Sequence, residues 1–471
     1  MDKATAKKYN YWQWRTLIAL IIGYTFYYFL RKNFSAALPA MEASLGITKV
    51  QLGLFLSLNG IVYGVSRLIN GIIADKHNKR LMMTLGLVLS ALINFAICFS
   101  PKLNGVIHVL DGEGKATMTL VYLIGSLWVL NGYVHGMGYP PCAALMAHWF
   151  RPSELATKQS IWNASHSIGA GLVIALCGGL LSKYGYSAWN LCFAIPAALS
   201  LVGAIALYAS LRDTPSSVGL PEIEELEAEK SGDTQKSSAL DAELTPSQFQ
   251  KFRNRMVFGN KHIWIISLAD FCVYVIRFTI LEWGTMFLTQ YKGLAIGSAA
   301  TIVSLSELLG GVLGTIVWGW FTDKFMGSRT IRTCVICMLG ATLSFFIFWR
   351  IPTGAPTALL AIFIILSAFF VYGPQALLGV SASQYATKKA SASSNGFVGV
   401  WCYLASMVAG VGFGWLADAP GFGWNAVFIT TFIFGILGAA ILMLMWKAPA
   451  DGYEKAKVVI AKIKAEEAQE A

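Results

Sequence analysis

Long apolar stretches recur along almost the whole chain, and they limit its possible folds more than any other feature. Of its 471 residues, 56% are hydrophobic and 13% are charged, which is too apolar for an ordinary water-soluble domain. A helix that crosses a bilayer needs about 20 predominantly apolar residues. The sequence predicts twelve such spans, at residues 15–40, 50–74, 80–100, 118–148, 155–183, 187–211, 262–291, 297–325, 330–351, 357–386, 391–417 and 424–447. We therefore expect an all-α, multi-pass membrane protein embedded in a lipid bilayer.

The Lys and Arg residues outside these spans are distributed unevenly between the two sides of the membrane. If the N-terminus is cytoplasmic, the short connections and the tails on that side carry 19 Lys and Arg, without counting the long central polar stretch, and the opposite loops carry six. Cytoplasmic connections of membrane proteins carry such an excess. Both termini are therefore predicted to be cytoplasmic. The net charge of +11 reflects this topology, so no nucleic-acid partner is expected.

A polar stretch divides the spans into two groups of six. It contains the run PEIEELEAEKSGDTQKSSALDAELTPSQ and has few large apolar residues, which is typical of a solvated linker. The predicted division is an N-terminal six-helix half at 1–212, a cytoplasmic linker at 213–261, a C-terminal six-helix half at 262–447 and a cytoplasmic tail at 448–471.

Three short motifs occur once in each half, at corresponding spans. They are Tyr-x-x-Arg at 28–31 and 274–277, Gly-x-x-x-Asp-Lys at 71–76 and 319–324, and Trp-Asn-x-x-Phe at 189–193 and 424–428. Three repeats in the same order and at similar separations indicate an internal duplication. Two six-span halves related along the membrane normal are typical of the major facilitator fold, in which substrate binds between the halves near the membrane midplane.

Seven charged residues are predicted to lie inside spans and away from the span ends, and a charge at the bilayer centre costs at least ~2.5 kcal/mol. The cations are Arg31, Lys32, Arg67 and Arg277, and the acids are Asp270, Glu282 and Glu307. Residues of such cost are expected to face a water-filled interior and to have partners. Asp270 is nearer the cytoplasmic end of its span, where we expect it to be solvated.

Helical spacing places most of these cations beside aromatic or polar residues. The groups that share a helix face are Tyr24, Tyr28 and Arg31; Tyr63 and Arg67; Tyr274 and Arg277; and Asn163 and His166. Because the groups come from four spans, they predict a central cavity with excess positive charge. A guanidinium is a planar fork that binds two oxygens, so Arg31 and Arg277 predict a site for a tetrahedral oxyanion such as phosphate. The alternative is that both arginines are structural and pair with Glu282 or Glu307.

Several runs around these residues mark a family resemblance. They are YYFLRKNFS (27–35), YGVSRLINGIIAD (63–75), IWNASHSIGAG (161–171), YVIRFTILEWG (274–284), SELLGG (306–311) and YGPQALLGV (372–380). In these runs the chain resembles the organophosphate:phosphate antiporter family, whose members include bacterial glycerol-3-phosphate and hexose-6-phosphate transporters and the hexose-phosphate sensor. The Trp-Asn-x-x-His run, combined with the Arg-Lys pair of the first span, is the most specific mark.

The resemblance implies roles for individual cavity residues. It assigns the substrate phosphate to Arg31 and Arg277, and a response to substrate protonation to His166. It further implies that the cavity is lined by Tyr24, Tyr28, Tyr63, Arg67, Tyr274, Tyr372 and Tyr403.

The resemblance also implies a switch and a departure from the family pattern. Lys32, Glu282 and Glu307 match salt-bridge residues that rearrange when substrate binds. In the eleventh span, Asn395 and Val398 stand where the hexose-6-phosphate transporter has an acidic residue and a lysine. Asn395 is therefore a further candidate for the substrate site.

Together, the residues and the resemblance predict a secondary transporter of the bacterial inner membrane. It is expected to exchange a sugar phosphate, in the first place hexose 6-phosphate, for inorganic phosphate by alternating access, and to be a monomer. No cofactor, metal or enzymatic activity is expected, because the sequence offers no nucleophile–base pair and no Gly-rich phosphate loop. Two alternatives stay open: a membrane sensor of external hexose phosphate that acts through a partner kinase, and a glycerol-3-phosphate:phosphate antiporter.

Overall fold

The computed structural model describes residues 3–150, 152–221, 244–327, 329–449 and 452–470. These residues are almost entirely helical, as expected, and the only isolated strand-like pairing among them joins Leu110 to Ala116. Residues 222–243, in the predicted linker, lie outside the described part of the chain.

The chain before the linker forms a first group of helices. They are α1 (Lys3–Leu45), α2 (Lys49–Lys76), α3 (Lys79–Phe99), α4 (Met118–His135), α5 (Tyr139–Trp149), α6 (Pro152–Tyr184) and α7 (Leu191–Ser210). The fourth predicted span is divided between α4 and α5, because a new helix begins at Tyr139. Pro140 and Pro141 follow at once, and proline is well tolerated in the first turn of a helix.

The described chain from residue 244 onward forms a second group of helices, the first of which lies within the predicted linker. They are α8 (Pro246–Arg253), α9 (Lys261–Gln290), α10 (Ile296–Leu305), α11 (Val312–Phe325), α12 (Thr330–Arg350), α13 (Thr357–Met407), α14 (Phe413–Asp418), α15 (Gly423–Met443) and α16 (Tyr453–Glu470). A π-helical turn, Ser306–Gly311, joins α10 to α11, and another, Val408–Gly412, joins α13 to α14. Such turns are frequent at functional sites.

Ten helical stretches among the described residues are long and apolar enough to cross a membrane. The other two of the twelve predicted spans correspond to α1 and α2, of 43 and 28 residues. Helix α1 is less apolar because Arg31, Lys32 and several tyrosines lie along it. Helix α13 contains two predicted spans, and the chain turns between them at Thr387 and Ala390, whose backbone is not helical.

The two groups of helices pack against each other through α1, α2 and α6 on one side and α9, α10 and α13 on the other. Glycines permit this close approach. A Cβ added to Gly53 would lie 2.3 Å from the carbonyl oxygen of Gly410, and one added to Gly178 would lie 2.1 Å from the Cβ of Ala300. Small residues are common at helix contacts in membranes. These six helices therefore surround the space in which substrate is expected.

Candidate functional site

A cavity of about 130 Å³ lies between the two halves, and most of the predicted site residues line it. Those residues are Tyr24, Tyr28, Arg31, Lys32, Tyr63, Arg67, Asn163, His166, Tyr274, Arg277 and Tyr403. They come from α1, α2, α6, α9 and α13, so residues remote in sequence converge on one space. The described lining contains four cations and no carboxylate.

Arg31, on α1, is held by aromatic rings. Its guanidinium carbon lies 3.9 Å from the ring centre of Tyr63, on α2, and 5.6 Å from that of Tyr28, one turn earlier on α1. The negative face of an aromatic ring attracts a cation at such distances. Because Arg31 also lines the cavity, an anion in the cavity could bind its guanidinium group.

Arg277, on α9, is the counterpart of Arg31 in the second half and is 7% exposed. Its guanidinium carbon lies 5.5 Å from the ring centre of Tyr274 and 5.3 Å from that of Tyr372. Its Nε atom is buried and has no hydrogen-bond partner among the described residues. An unpaired buried donor of this kind is costly, and an anion in the cavity would relieve the cost.

Arg67, on α2, reaches across the cavity. Its guanidinium carbon lies 4.1 Å from the ring centre of Tyr139, and its Nη1 atom donates to the hydroxyl of Tyr403, on α13, at 3.2 Å. The rings of Tyr403 and Tyr63 are also in contact, with centres 5.4 Å apart. Arg67 therefore connects the two halves through a neutral partner.

The arginines have no acidic partners in this conformation. Within the described ranges, no carboxylate oxygen lies within 4.0 Å of a guanidinium nitrogen of Arg31, Arg67 or Arg277. The pairing of Arg31 or Arg277 with Glu282 or Glu307, considered above as an alternative, is thus not seen here. Three guanidinium groups thus face one cavity without an ion-pair partner among the described residues.

Lys32 is different from its neighbour Arg31 because it does have an acidic partner. Its ammonium group donates to Glu282, on α9, and the hydroxyl of Ser35 donates to the other oxygen of the same carboxylate. Lys32 is 4% exposed, so this is a buried ion pair that joins the two halves.

Glu307 and Tyr372 lie together behind Arg277. Glu307 is 1% exposed and belongs to the π-helical turn between α10 and α11. The Tyr372 hydroxyl donates to its carboxylate. Tyr372 contacts the Arg277 guanidinium with its ring, and it does not itself line the cavity.

His166 and Asn163 lie one turn apart on α6. The Nδ1 atom of His166 bonds to the backbone carbonyl oxygen of Asn163, and since a carbonyl only accepts, Nδ1 must carry a proton. Its Nε2 atom lies 3.4 Å from the Ser167 hydroxyl. The His166 ring centre is 5.6 Å from that of Tyr28 and 6.2 Å from that of Tyr372, so it stands between the two arginine sites.

Two further residues from the sequence analysis, the site candidate Asn395 and the intramembrane acid Asp270, lie away from the cavity lining. Asn395 is exposed, and its Nδ2 atom donates to the Ser383 hydroxyl at 2.7 Å. It is not part of the cavity lining, because it lies just beyond the turn within α13. Asp270 was expected to be solvated, but it is 4% exposed and accepts from the Cys402 thiol at 2.9 Å. Helix α13 packs against α9 and excludes water from Asp270.

Four lining residues were not predicted: Tyr139, Trp162, Phe278 and Gln375. Trp162 and Phe278 directly adjoin the predicted residues Asn163 and Arg277, a signal that was available in the sequence. Gln375 follows Tyr372 by one turn on α13. Tyr139 begins α5, and no spacing rule connects it to the other site residues.

Ionic and polar contacts close the space between the halves at one end. The Lys49 ammonium, at the start of α2, lies 2.6 Å from a Glu42 oxygen and 2.9 Å from an oxygen of Asp418, at the end of α14. Gln290, at the end of α9, also donates to Glu42. This end is the one predicted to face the outside, so the conformation is closed toward the predicted exterior.

Sequence comparisons agree with this architecture. A family model for the Major Facilitator Superfamily matches residues 20–409. The "Probable hexose phosphate transport protein" of Chlamydia trachomatis serovar D is 30% identical over 95% of this chain and 94% of that protein. The glycerol-3-phosphate transporter of Bacillus subtilis is 34% identical over 92% of each chain. Membrane sensor protein UhpC of Escherichia coli is 30% identical over 93% of this chain and 92% of that protein.

Solved structures give the same fold. An inward-facing, unoccupied bacterial homologue of the human lysosomal transporter Spinster superposes with a TM-score of 0.69 at 14% identity, over 96% of this chain and 98% of that chain. A D-xylose-proton symporter superposes with a TM-score of 0.69 at 15% identity, over 92% and 97% of the two chains. The predicted major facilitator fold is confirmed, and the protein is a multi-pass protein of the bacterial inner membrane. The chain belongs to the organophosphate:phosphate antiporter family of the Major Facilitator Superfamily.

Proposed function

We propose that this protein transports a sugar phosphate across the inner membrane in exchange for inorganic phosphate, by alternating access. The observation that carries the proposal is the convergence of Arg31, Arg67 and Arg277 on one cavity that has no carboxylate in its described lining. Such a cavity attracts an anion and repels cations. Relatives named as transport proteins support the same reading, so we propose a transporter and not an enzyme.

In this proposal Arg31 and Arg277 bind the phosphate group of either substrate. Each belongs to one half, and each has a planar fork that fits two phosphate oxygens. A hydrogen bond to a charged group contributes about 1.5–3 kcal/mol, so a phosphate bridging both residues stabilises the approach of the two halves. Without the anion, the like charges oppose that approach. The empty carrier therefore changes conformation slowly, and exchange is favoured over leak.

His166 is proposed to sense the protonation state of the phosphate. Its Nδ1 proton is engaged by the Asn163 carbonyl, which leaves Nε2 as the nitrogen that can gain or lose a proton. The ring lies between the tyrosines that flank the two arginines. A phosphate held by Arg31 and Arg277 is thus placed where its charge would influence His166.

The buried ion pair of Lys32 and Glu282 is proposed to act as the switch. It joins α1 to α9 in the conformation closed toward the predicted exterior, and it must break for the halves to separate there. Glu307, held by Tyr372 behind Arg277, is proposed as the alternative acidic partner of Arg277. Substrate binding at Arg277 would change the balance between these contacts.

The organic part of the substrate is proposed to be a hexose. Relatives named as hexose phosphate transport proteins support it, whereas a glycerol-3-phosphate transporter at 34% identity supports the smaller substrate. The 30% identity to membrane sensor protein UhpC favours a second candidate function. In it, the protein is a sensor: the same cavity binds hexose phosphate, and the occupied protein controls a partner kinase. We propose a monomer, because both halves of the cavity come from one chain.

The test is exchange in proteoliposomes loaded with inorganic phosphate. Purified protein is supplied with labelled glucose 6-phosphate, glycerol 3-phosphate or phosphate, and uptake is compared with that of vesicles lacking internal phosphate. We expect uptake of glucose 6-phosphate that requires internal phosphate. Uptake without internal phosphate would contradict exchange, and saturable binding without any uptake would favour the sensor.

A further inference from the structure

Gln375 lines the cavity, and the function described so far does not use it. Its side-chain oxygen is buried and has no hydrogen-bond partner among the residues that the structure describes. A buried polar atom left in this condition is costly. Its position in the wall of a substrate cavity suggests that the partner arrives with the substrate.

The register of α9 and α13 places Gln375 relative to the phosphate site. Tyr372 packs on Arg277, whereas Tyr385 packs on His262, with ring centres 4.8 Å apart. The two helices are therefore antiparallel. Three residues along a helix correspond to about 4.5 Å of rise, so Gln375 lies one turn from Arg277, level with Tyr274, and away from the closed end.

The chemistry of Gln375 differs from that of the phosphate site. A carboxamide has one acceptor oxygen and two N–H donors and carries no net charge. Its oxygen repels a phosphate oxygen, but it accepts from a hydroxyl. A sugar phosphate whose phosphate group lies between Arg31 and Arg277 would extend its hydroxyl groups along this wall.

We propose that Gln375 is a specificity-determining residue that accepts a hydrogen bond from a hydroxyl of the organic part of the substrate, with Tyr274 beside it. The ligand class is a polyhydroxylated phosphate ester, in preference to inorganic phosphate or an ester with a shorter carbon chain. This inference rests on the proposed function, because it requires a phosphate at Arg31 and Arg277.

The experiment compares Gln375→Leu with a matched control, Gln384→Leu. Gln384 is on the same helix, and its side-chain oxygen is also buried without a described partner, but it does not line the cavity. Phosphate–phosphate exchange is measured first, and then its inhibition by glucose 6-phosphate, by glycerol 3-phosphate and by glucose 6-phosphates that each lack one hydroxyl. Gln375→Met provides a second variant of similar length.

We expect Gln375→Leu and Gln375→Met to retain phosphate–phosphate exchange, while their affinity for glucose 6-phosphate falls roughly 10-fold, as for one lost hydrogen bond. The deoxy analogue that lacks the hydroxyl bound by Gln375 should bind the wild type and the variants with equal affinity. Gln384→Leu should change neither measurement. An equal loss for phosphate and sugar phosphate, or no loss in the Gln375 variants, would overturn the proposal.

The same proteins separate this proposal from the proposed exchange. If the wild type exchanges nothing, binding of the same ligands is followed by tryptophan fluorescence, since Trp162 lines the cavity. A selective loss of glucose 6-phosphate binding in the Gln375 variants would support the proposal even though exchange had failed. Absence of binding in the wild type would overturn both.

Discussion

The two halves of the protein carry the same Tyr-x-x-Arg motif but differ in their intramembrane charges. Of the cations in the described lining, the first half contributes Arg31, Lys32 and Arg67, and the second half contributes Arg277. All three intramembrane acids, Asp270, Glu282 and Glu307, belong to the second half. The difference indicates that duplication supplied one arginine to each half, and that the halves then diverged. The first half presents most of the positive charge in the described lining. The second half holds Glu282, which pairs with Lys32, and Glu307, which lies behind Arg277.

The largest expected effect comes from Arg277→Lys. A lysine is a point charge that cannot replace the fork, and the second half has no other cation in the described lining. We expect phosphate exchange to fall roughly 100-fold, corresponding to the loss of one strong charged hydrogen bond. Arg31→Lys should lose less, because Arg67 and Lys32 remain beside it.

Exchange rates in proteoliposomes measure this asymmetry. Arg332→Lys is the control, since Arg332 lies outside the cavity lining and bonds to the Trp446 carbonyl. Equal losses in Arg31→Lys and Arg277→Lys would contradict the unequal halves, and normal exchange in either would contradict the two-arginine phosphate site.

Breaking the ion pair between the halves should have the next largest effect. Glu282→Gln leaves Lys32 buried without a charged partner, which costs about 3–5 kcal/mol for a buried pair. The conformation closed toward the predicted exterior should lose that stability. Thermal unfolding in detergent measures it, and the double variant Lys32→Met/Glu282→Gln should recover part of the loss. If the single variant is as stable as the wild type, the pair does not stabilise the resting protein.

Glu307→Gln should have a smaller effect than Glu282→Gln, and we expect it mainly in the maximal exchange rate. The amide oxygen can still accept from the Tyr372 hydroxyl, so packing is kept, but the charge behind Arg277 is lost. We expect the maximal exchange rate to fall roughly 10-fold with little change in KM, as for an interaction made during the conformational change. A raised KM at an unchanged maximal rate would place Glu307 in substrate binding instead.

Asp270→Asn should have the smallest effect, although it is the same type of change on the same helix as Glu282→Gln. No Lys, Arg or His nitrogen in the described chain lies within 4.0 Å of Asp270, and its Oδ1 atom has no described partner. Burying an amide costs less than burying a carboxylate, so the melting temperature should stay the same or rise. A loss of exchange would show that Asp270 has a role that its contacts do not reveal.

The sequence alone was sufficient for the fold and for much of the cavity. Apolar length and the repeated motifs predicted the helices and the two halves. Helical spacing predicted that Tyr28 and Arg31 share a face, and both line the cavity. It could not locate Asn395, because a turn within α13 carries that residue away from the lining. Gln375 was not predicted, because a single amide among apolar residues forms no helical spacing pattern with other polar residues.

What the sequence determined by itself is everything that depends on one helix at a time: which segments enter the membrane, and which side chains share a face. Only the tertiary structure decided which groups from different helices meet. Lys32 pairs with Glu282 while Arg31, its neighbour, packs on Tyr63 and has no acid within 4.0 Å in the described chain. Adjacent residues on a helix point about 100° apart, and the partner that each one meets depends on the packing of the other half.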